Sequence, residues 1–133
     1  MEIDKQVINV VAAVICDDIN APKKIFATQR GYGEFKGGWE FPGGKIEPDE
    51  TKEDAIIREI KEELTIDIKV DEYFDENVFN YPEKDINLIA LKCSKINGNI
   101  ELVEHEDYKW VASSELENFE FAPADMFIVD KLK

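Results

Sequence analysis

A chain of 133 residues with 44% apolar side chains is long enough for one domain around one core, and too hydrophobic to stay disordered. No run of about 18 apolar residues occurs, which excludes a membrane-spanning helix. The first five residues also lack the basic flank and apolar block of a secretory signal, so the sequence predicts a cytoplasmic protein. A net charge of −14 argues against a nucleic-acid polymer as partner, because binding one requires a basic footprint. A small anionic ligand is compatible with this charge if bound cations offset the repulsion.

In chain order, residues 7–16 are nearly all apolar and rich in β-branched types, the pattern of a central strand buried on both faces. Turn chemistry at 17–22 separates it from a returning strand at 24–30. Residues 31–38 are glycine-rich and predict a loop. A short strand at 39–41 then leads into Pro42-Gly43-Gly44. A helix is predicted over 51–64, with Thr51 as its cap, Asp54 completing an acidic capping box, and Glu53 and Asp54 favoured at the positive end of the helix dipole. Further strands are expected at 66–74, 87–96, 100–102 and 108–111, with Asn97-Gly98 as a hairpin turn. A short helix over 113–118 capped by Ser113 or Ser114 is expected next. A C-terminal helix follows Pro123, with Ile128, Val129 and Leu132 on its contact side. The whole predicts one domain, 1–133, of the α/β class. Cys16 and Cys93 lie in apolar strands and predict buried, reduced thiols.

The helix over 51–64 carries the chemistry. On a helical wheel Glu59, Glu62 and Glu63 occupy an arc of roughly 100°, while Ile56, Ile57, Ile60 and Leu64 form a separate apolar face. Clustered carboxylates repel one another, and a hard cation with a preference for oxygen ligands reverses that repulsion. Upstream, Gly43-Gly44 allows backbone to approach a ligand closely.

The spacing Gly44, five residues, Glu50, seven residues, then Arg58-Glu59-Ile60-Lys61-Glu62-Glu63-Leu64-Thr65-Ile66 resembles the Nudix box, G-x5-E-x7-R-E-U-x-E-E-x-G-U with U aliphatic. The one departure is Thr65 in place of the late glycine. A left-handed threonine is unfavourable, so the turn is expected to differ from the family's. Gln29-Arg30, the run 39–47 and Ala122-Pro123-Ala124-Asp125 are similar to the MutT-type branch, which includes pyrophosphohydrolases of (deoxy)nucleoside triphosphates.

The resemblance implies a Nudix-type α/β/α sandwich with a mixed central sheet and a loop–helix–loop catalytic motif. It implies Glu59, Glu62, Glu63 and the Gly43 carbonyl as ligands of Mg²⁺, for which Mn²⁺ can substitute. Arg58 and Glu50 would orient those ligands. A later acidic residue, Glu104 with Glu106 as fallback, would serve as a further ligand or general base. Arg30 and Lys45 are candidate cationic contacts to phosphate or base, with plain surface charge as the alternative, and the resemblance implies a base-reading side chain at the position of Asp125. His105, the only histidine, is expected to be a solvated loop residue. Phe35, Trp39, Phe79 and Tyr81 are candidates for stacking on a base, although such aromatics more often belong to the core.

The implied activity is Mg²⁺-dependent hydrolysis of a nucleoside triphosphate, an oxidised one included, to monophosphate and pyrophosphate by a monomer or homodimer. Two alternatives stand beside it. One is hydrolysis of another nucleoside diphosphate derivative, such as ADP-ribose or a dinucleoside polyphosphate. The other is a non-catalytic nucleotide sensor on the same fold.

Overall fold

The computed structural model describes residues 6–18, 20, 23–31, 33 and 36–132. Its first strand, β1 (Gln6–Ile15), is followed by β2 (Lys24–Gln29), β3 (Trp39–Glu40), β4 (Gly43–Lys45), α1 (Lys52–Leu64), β5 (Asp67–Asn80), β6 (Lys84–Asn97), β7 (Asp107–Ala112) and α2 (Met126–Leu132). The strands form a four-stranded mixed sheet in the order β4-β1-β6-β5 and a three-stranded antiparallel sheet in the order β3-β2-β7. β1 runs parallel to β6 along its full length, from Gln6 opposite Lys84 to Ile15 opposite Cys93, while β4 and β5 pair antiparallel to their neighbours.

The apolar composition of β1 follows from cover on both faces. Alternate residues Val11, Ala13 and Ile15 pack with Ala55, Ile56, Ile60 and Leu64 of α1. Ala12, Val14 and Cys16 pack on the opposite side with Leu116, Ile128 and Val129. A period-two strand thus fills two cores, each closed by helical segments, and gives the expected α/β/α sandwich. Cys16 and Cys93 are buried free thiols, and burial pushes the Cys93 thiol up to about 12.

Thr51 caps α1 by accepting the Asp54 N–H at 3.0 Å. Ile57, expected on the apolar face, is 39% exposed; Ala55 takes the buried place. Thr65 itself adopts the left-handed conformation (φ 61°, ψ 22°), a backbone region that glycine enters without the Cβ penalty. Its N–H bonds the Lys61 carbonyl and its hydroxyl donates to the Asn99 carbonyl. These bonds offset a backbone penalty on the order of 1–2 kcal/mol.

The chain after β6 departs furthest from expectation. Asn97-Gly98 makes no hairpin and 100–102 is not a strand. Gly98 (φ +93°) lets the chain pass against Thr65 and Ile66, where a Cβ would sit 3.0 Å from the Thr65 carbonyl oxygen. The Glu101 and Val103 N–H groups then donate to the Leu64 and Glu63 carbonyls. The end of α1 leaves carbonyls in need of donors, and this segment satisfies them in place of a hairpin partner. Residues 113–118 form a 3₁₀ turn with Ala112 in the cap position and no side-chain cap, so neither serine caps it. A second 3₁₀ turn, Pro123–Asp125, leads into α2, which buries Ile128 and Val129. Among the described residues no helix is long and apolar enough to cross a membrane.

Candidate active site

A cavity of about 480 Å³ opens where β1, β3, β4, β6 and the segment before β7 meet. Its lining includes the acidic Glu63, Glu104 and Asp125 and the apolar Phe41, Ile86, Leu88 and Ala124. Arg30, Lys45, Glu40, His105, Tyr81 and Lys84 complete the charged and polar lining.

The two glycines before α1 are required by close approach. A Cβ on Gly43 would collide with the Val11 carbonyl across the β1–β4 ladder, and one on Gly44 would overlap the carboxylate of Glu59. Glu59 is therefore seated directly on the β4 backbone, 15% exposed, with its Oε1 accepting from Arg58 Nη1 at 2.8 Å.

Arg58 is the hub beside the cavity. Its Nε and Nη2 donate to both oxygens of Glu50 at 2.8 and 2.9 Å, a bidentate pairing, and Nη2 also reaches the Lys45 carbonyl. Nη1 serves Glu59 and, at 3.4 Å, Glu62. The Arg58 hydrogen bonds, helped by the Glu47 N–H, hold the Glu50 carboxyl down at about 2.

Glu63 is in the opposite condition. Burial, then repulsion from Glu59, Glu40 and Glu104, pushes its carboxyl up to about 8, against a lowering contact from the Gly43 backbone. Its Oε2 is buried with no hydrogen-bond partner among the described residues. Asp125 is buried as well. Its Oδ2 accepts the Phe41 N–H at 2.9 Å, and burial pushes its carboxyl up to about 7.

The structure thus gathers Gly43, Glu63, Glu104, Arg30, Lys45 and Asp125 around one cavity, and sets Glu50, Arg58 and Glu59 into an ion-paired network beside it. Glu62 is 60% exposed and Glu106 lies outside the lining. Among the described residues no three acidic, His or Cys side chains already converge to hold a metal ion. The donor set nonetheless suits a hard cation. It is all oxygen, it contains an orphaned buried carboxylate atom on Glu63, and Gly44 holds Glu59 against the backbone.

Sequence reasoning missed three lining residues. His105 is not solvated: its side chain is 9% exposed, with Nε2 3.4 Å from Glu40 Oε1. Glu40 is held ionised because hydrogen bonds from His105 and Arg30 outweigh the burial that opposes its charge. Lys84 enters from the start of β6. The Glu104-His105 pair was the available signal for the first. Of the stacking candidates, Tyr81 lines the cavity and pairs with Phe79 at 4.9 Å between ring centroids, while Trp39 is a core residue against Phe119. Phe35 lies outside the described residues.

The NUDIX domain family model matches residues 8–130. The chain belongs to the NUDIX family, in its MutT-like branch, and is a hydrolase. Among curated relatives it is 34% identical to the CTP pyrophosphohydrolase of Escherichia coli (strain K12), over 94% of this chain and 90% of that protein. It is 32% identical to the 8-oxo-dGTP diphosphatase of Haemophilus influenzae, over 97% and 93% respectively. The solution structure of the E. coli ORF135 protein superposes with a TM-score of 0.84 at 35% identity, covering 95% of this chain and 88% of that one.

Proposed function

We propose that this protein hydrolyses a nucleoside triphosphate, an oxidised one included, to the monophosphate and pyrophosphate in a Mg²⁺-dependent reaction. The observation that carries the reading is the cavity: one lining holds apolar Phe41, Ile86, Leu88 and Ala124, the buried Asp125, and Glu63, whose carboxyl is repelled by Glu59, Glu40 and Glu104. The relatives named for CTP and 8-oxo-dGTP support a triphosphate over other diphosphate derivatives.

Glu59, Glu62, Glu63, Glu104 and the Gly43 carbonyl would hold Mg²⁺, or Mn²⁺ in its place. When bound, the ion neutralises phosphate charge and makes an attacking water more acidic. Arg58, itself fixed by Glu50, keeps Glu59 in place. Arg30 and Lys45 supply positive charge for the phosphates. Asp125 reads the base edge: with a proton it both donates and accepts, and without one it only accepts. The water oxygen bonds to phosphorus, its proton passes to a carboxylate of the cavity lining, and the anhydride bond breaks to release pyrophosphate. No covalent enzyme intermediate is required.

The test is pyrophosphate release from canonical and oxidised nucleoside triphosphates, with ADP-ribose as a competing substrate, with and without Mg²⁺. Release from one or a few triphosphates, dependent on Mg²⁺ and lost in Glu62→Gln, is expected. Nucleotide binding without turnover on any substrate would replace the hydrolase reading with a sensor, and preferential cleavage of ADP-ribose would redirect it to that substrate.

A further inference from the structure

The segment that brings Glu104 to the cavity belongs to no strand or helix, yet Glu104 is one of the carboxylates that act on Glu63. Backbone bonds hold the segment on either side of that position. Before it, the Val103 N–H donates to the Glu63 carbonyl; after it, the Glu106 N–H donates to the Gln29 carbonyl. The intervening chain rests on Gly31, where a Cβ would lie 3.2 Å from the Glu104 carbonyl oxygen and 3.4 Å from the Glu106 nitrogen. Between these fixed points the His105 side chain turns inward, more than nine-tenths buried, toward Glu40.

Glu40 is a firm partner. It sits in β3, paired with Thr28 of β2, and its other oxygen takes Arg30 Nη2 at 2.8 Å. With Arg30 donating to one oxygen of Glu40, the His105 nitrogen that faces the other, Nε2, is the one placed to donate. Nδ1 is left buried with no hydrogen-bond partner among the described residues. The ring is thus kept in a position that satisfies Nε2 at the expense of Nδ1, as expected where the position serves a neighbour.

We propose that His105 is a positioning residue: by donating from Nε2 to Glu40, it sets the adjacent Glu104 carboxylate against Glu63 and so helps to assemble the cation site. The inference rests on the metal-binding reading above and adds the His105–Glu40 contact as the tie between the acidic segment and the β3 strand. Arg30 steadies the same carboxylate from the other side, so a single glutamate links Arg30 to the acidic segment.

The experiment is Mn²⁺ titration of the nucleotide-free protein, followed by electron paramagnetic resonance, with melting temperature measured on each sample. His105→Ala is expected to weaken Mn²⁺ binding about tenfold, the size typical of losing an outer-shell support. His105→Gln places an amide N–H where Nε2 stood and is expected to recover most of the affinity. His105→Asn reaches only as far as Nδ1 and is expected to bind like the alanine variant. A purely structural role would move the melting temperature without separating Gln from Asn. Wild-type Mn²⁺ affinity in His105→Ala, or equally weak binding by Gln and Asn, would overturn the proposal. If the wild-type protein itself bound no Mn²⁺, the metal-binding reading would fall first and carry this inference with it.

Discussion

At Arg58, Glu50 and Glu59 are gripped by a guanidinium and Glu50 is held down at about 2; five residues further along the same helix, Glu63 is pushed up to about 8 by burial and by its neighbours. The same residue type meets opposite environments within one loop and helix. The first group is satisfied within the protein and has the properties of a scaffold. The second is assembled against its own repulsion, which is how a protein arranges carboxylates for a ligand that supplies positive charge. Activity and stability therefore pull apart at Glu63 and run together at Arg58.

Breaking the unsatisfied side should have the largest effect. Glu63→Gln keeps the shape and removes the repulsion, so kcat for pyrophosphate release should fall on the order of 10³-fold. The metal-free variant should at the same time melt higher than wild type in calorimetry. A variant both inactive and less stable would show that Glu63 is a scaffold group like Glu50.

Asp125 sharpens the comparison, because it is buried and accepts the Phe41 N–H. Its carboxyl rises from 3.8 to about 7 on folding, so the folded state disfavours its ionised form. Stability from this group is intact below about pH 4 and is lost as pH rises toward 7, by at most about 4 kcal/mol. Asp125→Asn keeps an acceptor for Phe41 and cannot ionise. Urea denaturation from pH 4 to 8 should show a declining contribution in wild type that is missing from the variant. Parallel pH profiles would place the ionised form in the fold after all.

A smaller effect is expected on the satisfied side. Arg58→Lys keeps the charge but cannot make two parallel bonds to Glu50 while also serving Glu59. Mg²⁺ affinity by calorimetric titration should weaken about tenfold, with a lower melting temperature. Unchanged affinity would mean that Glu59 needs only its seat over Gly44.

Much of this was legible in the sequence wherever one element decides the outcome. Helical spacing sets the order of Glu59, Glu62 and Glu63, and alternation on β1 assigns its residues to two cores. What was not legible depends on contacts between distant elements. Gly98 signals a hairpin locally, but its positive φ is used to pass over Thr65 and Ile66. Thr65 tolerates a left-handed backbone with the help of the Lys61 and Asn99 carbonyls, the second of them 34 residues away. His105 lies between two glutamates, which suggests solvent, until β3 brings Glu40 to it. Ile57 has the right wheel position yet is left exposed.

The hydrogen bond from the Phe41 N–H to Asp125 spans 84 residues of chain, and the parallel register of β1 with β6 joins Gln6 to Lys84. Contacts of such separation slow folding, because loop-closure entropy comes due before they form. During synthesis on a ribosome the cavity therefore cannot be built in stages. β1 must wait for β6 to emerge, and Asp125 arrives only after both, so the cavity closes only once all three have been made.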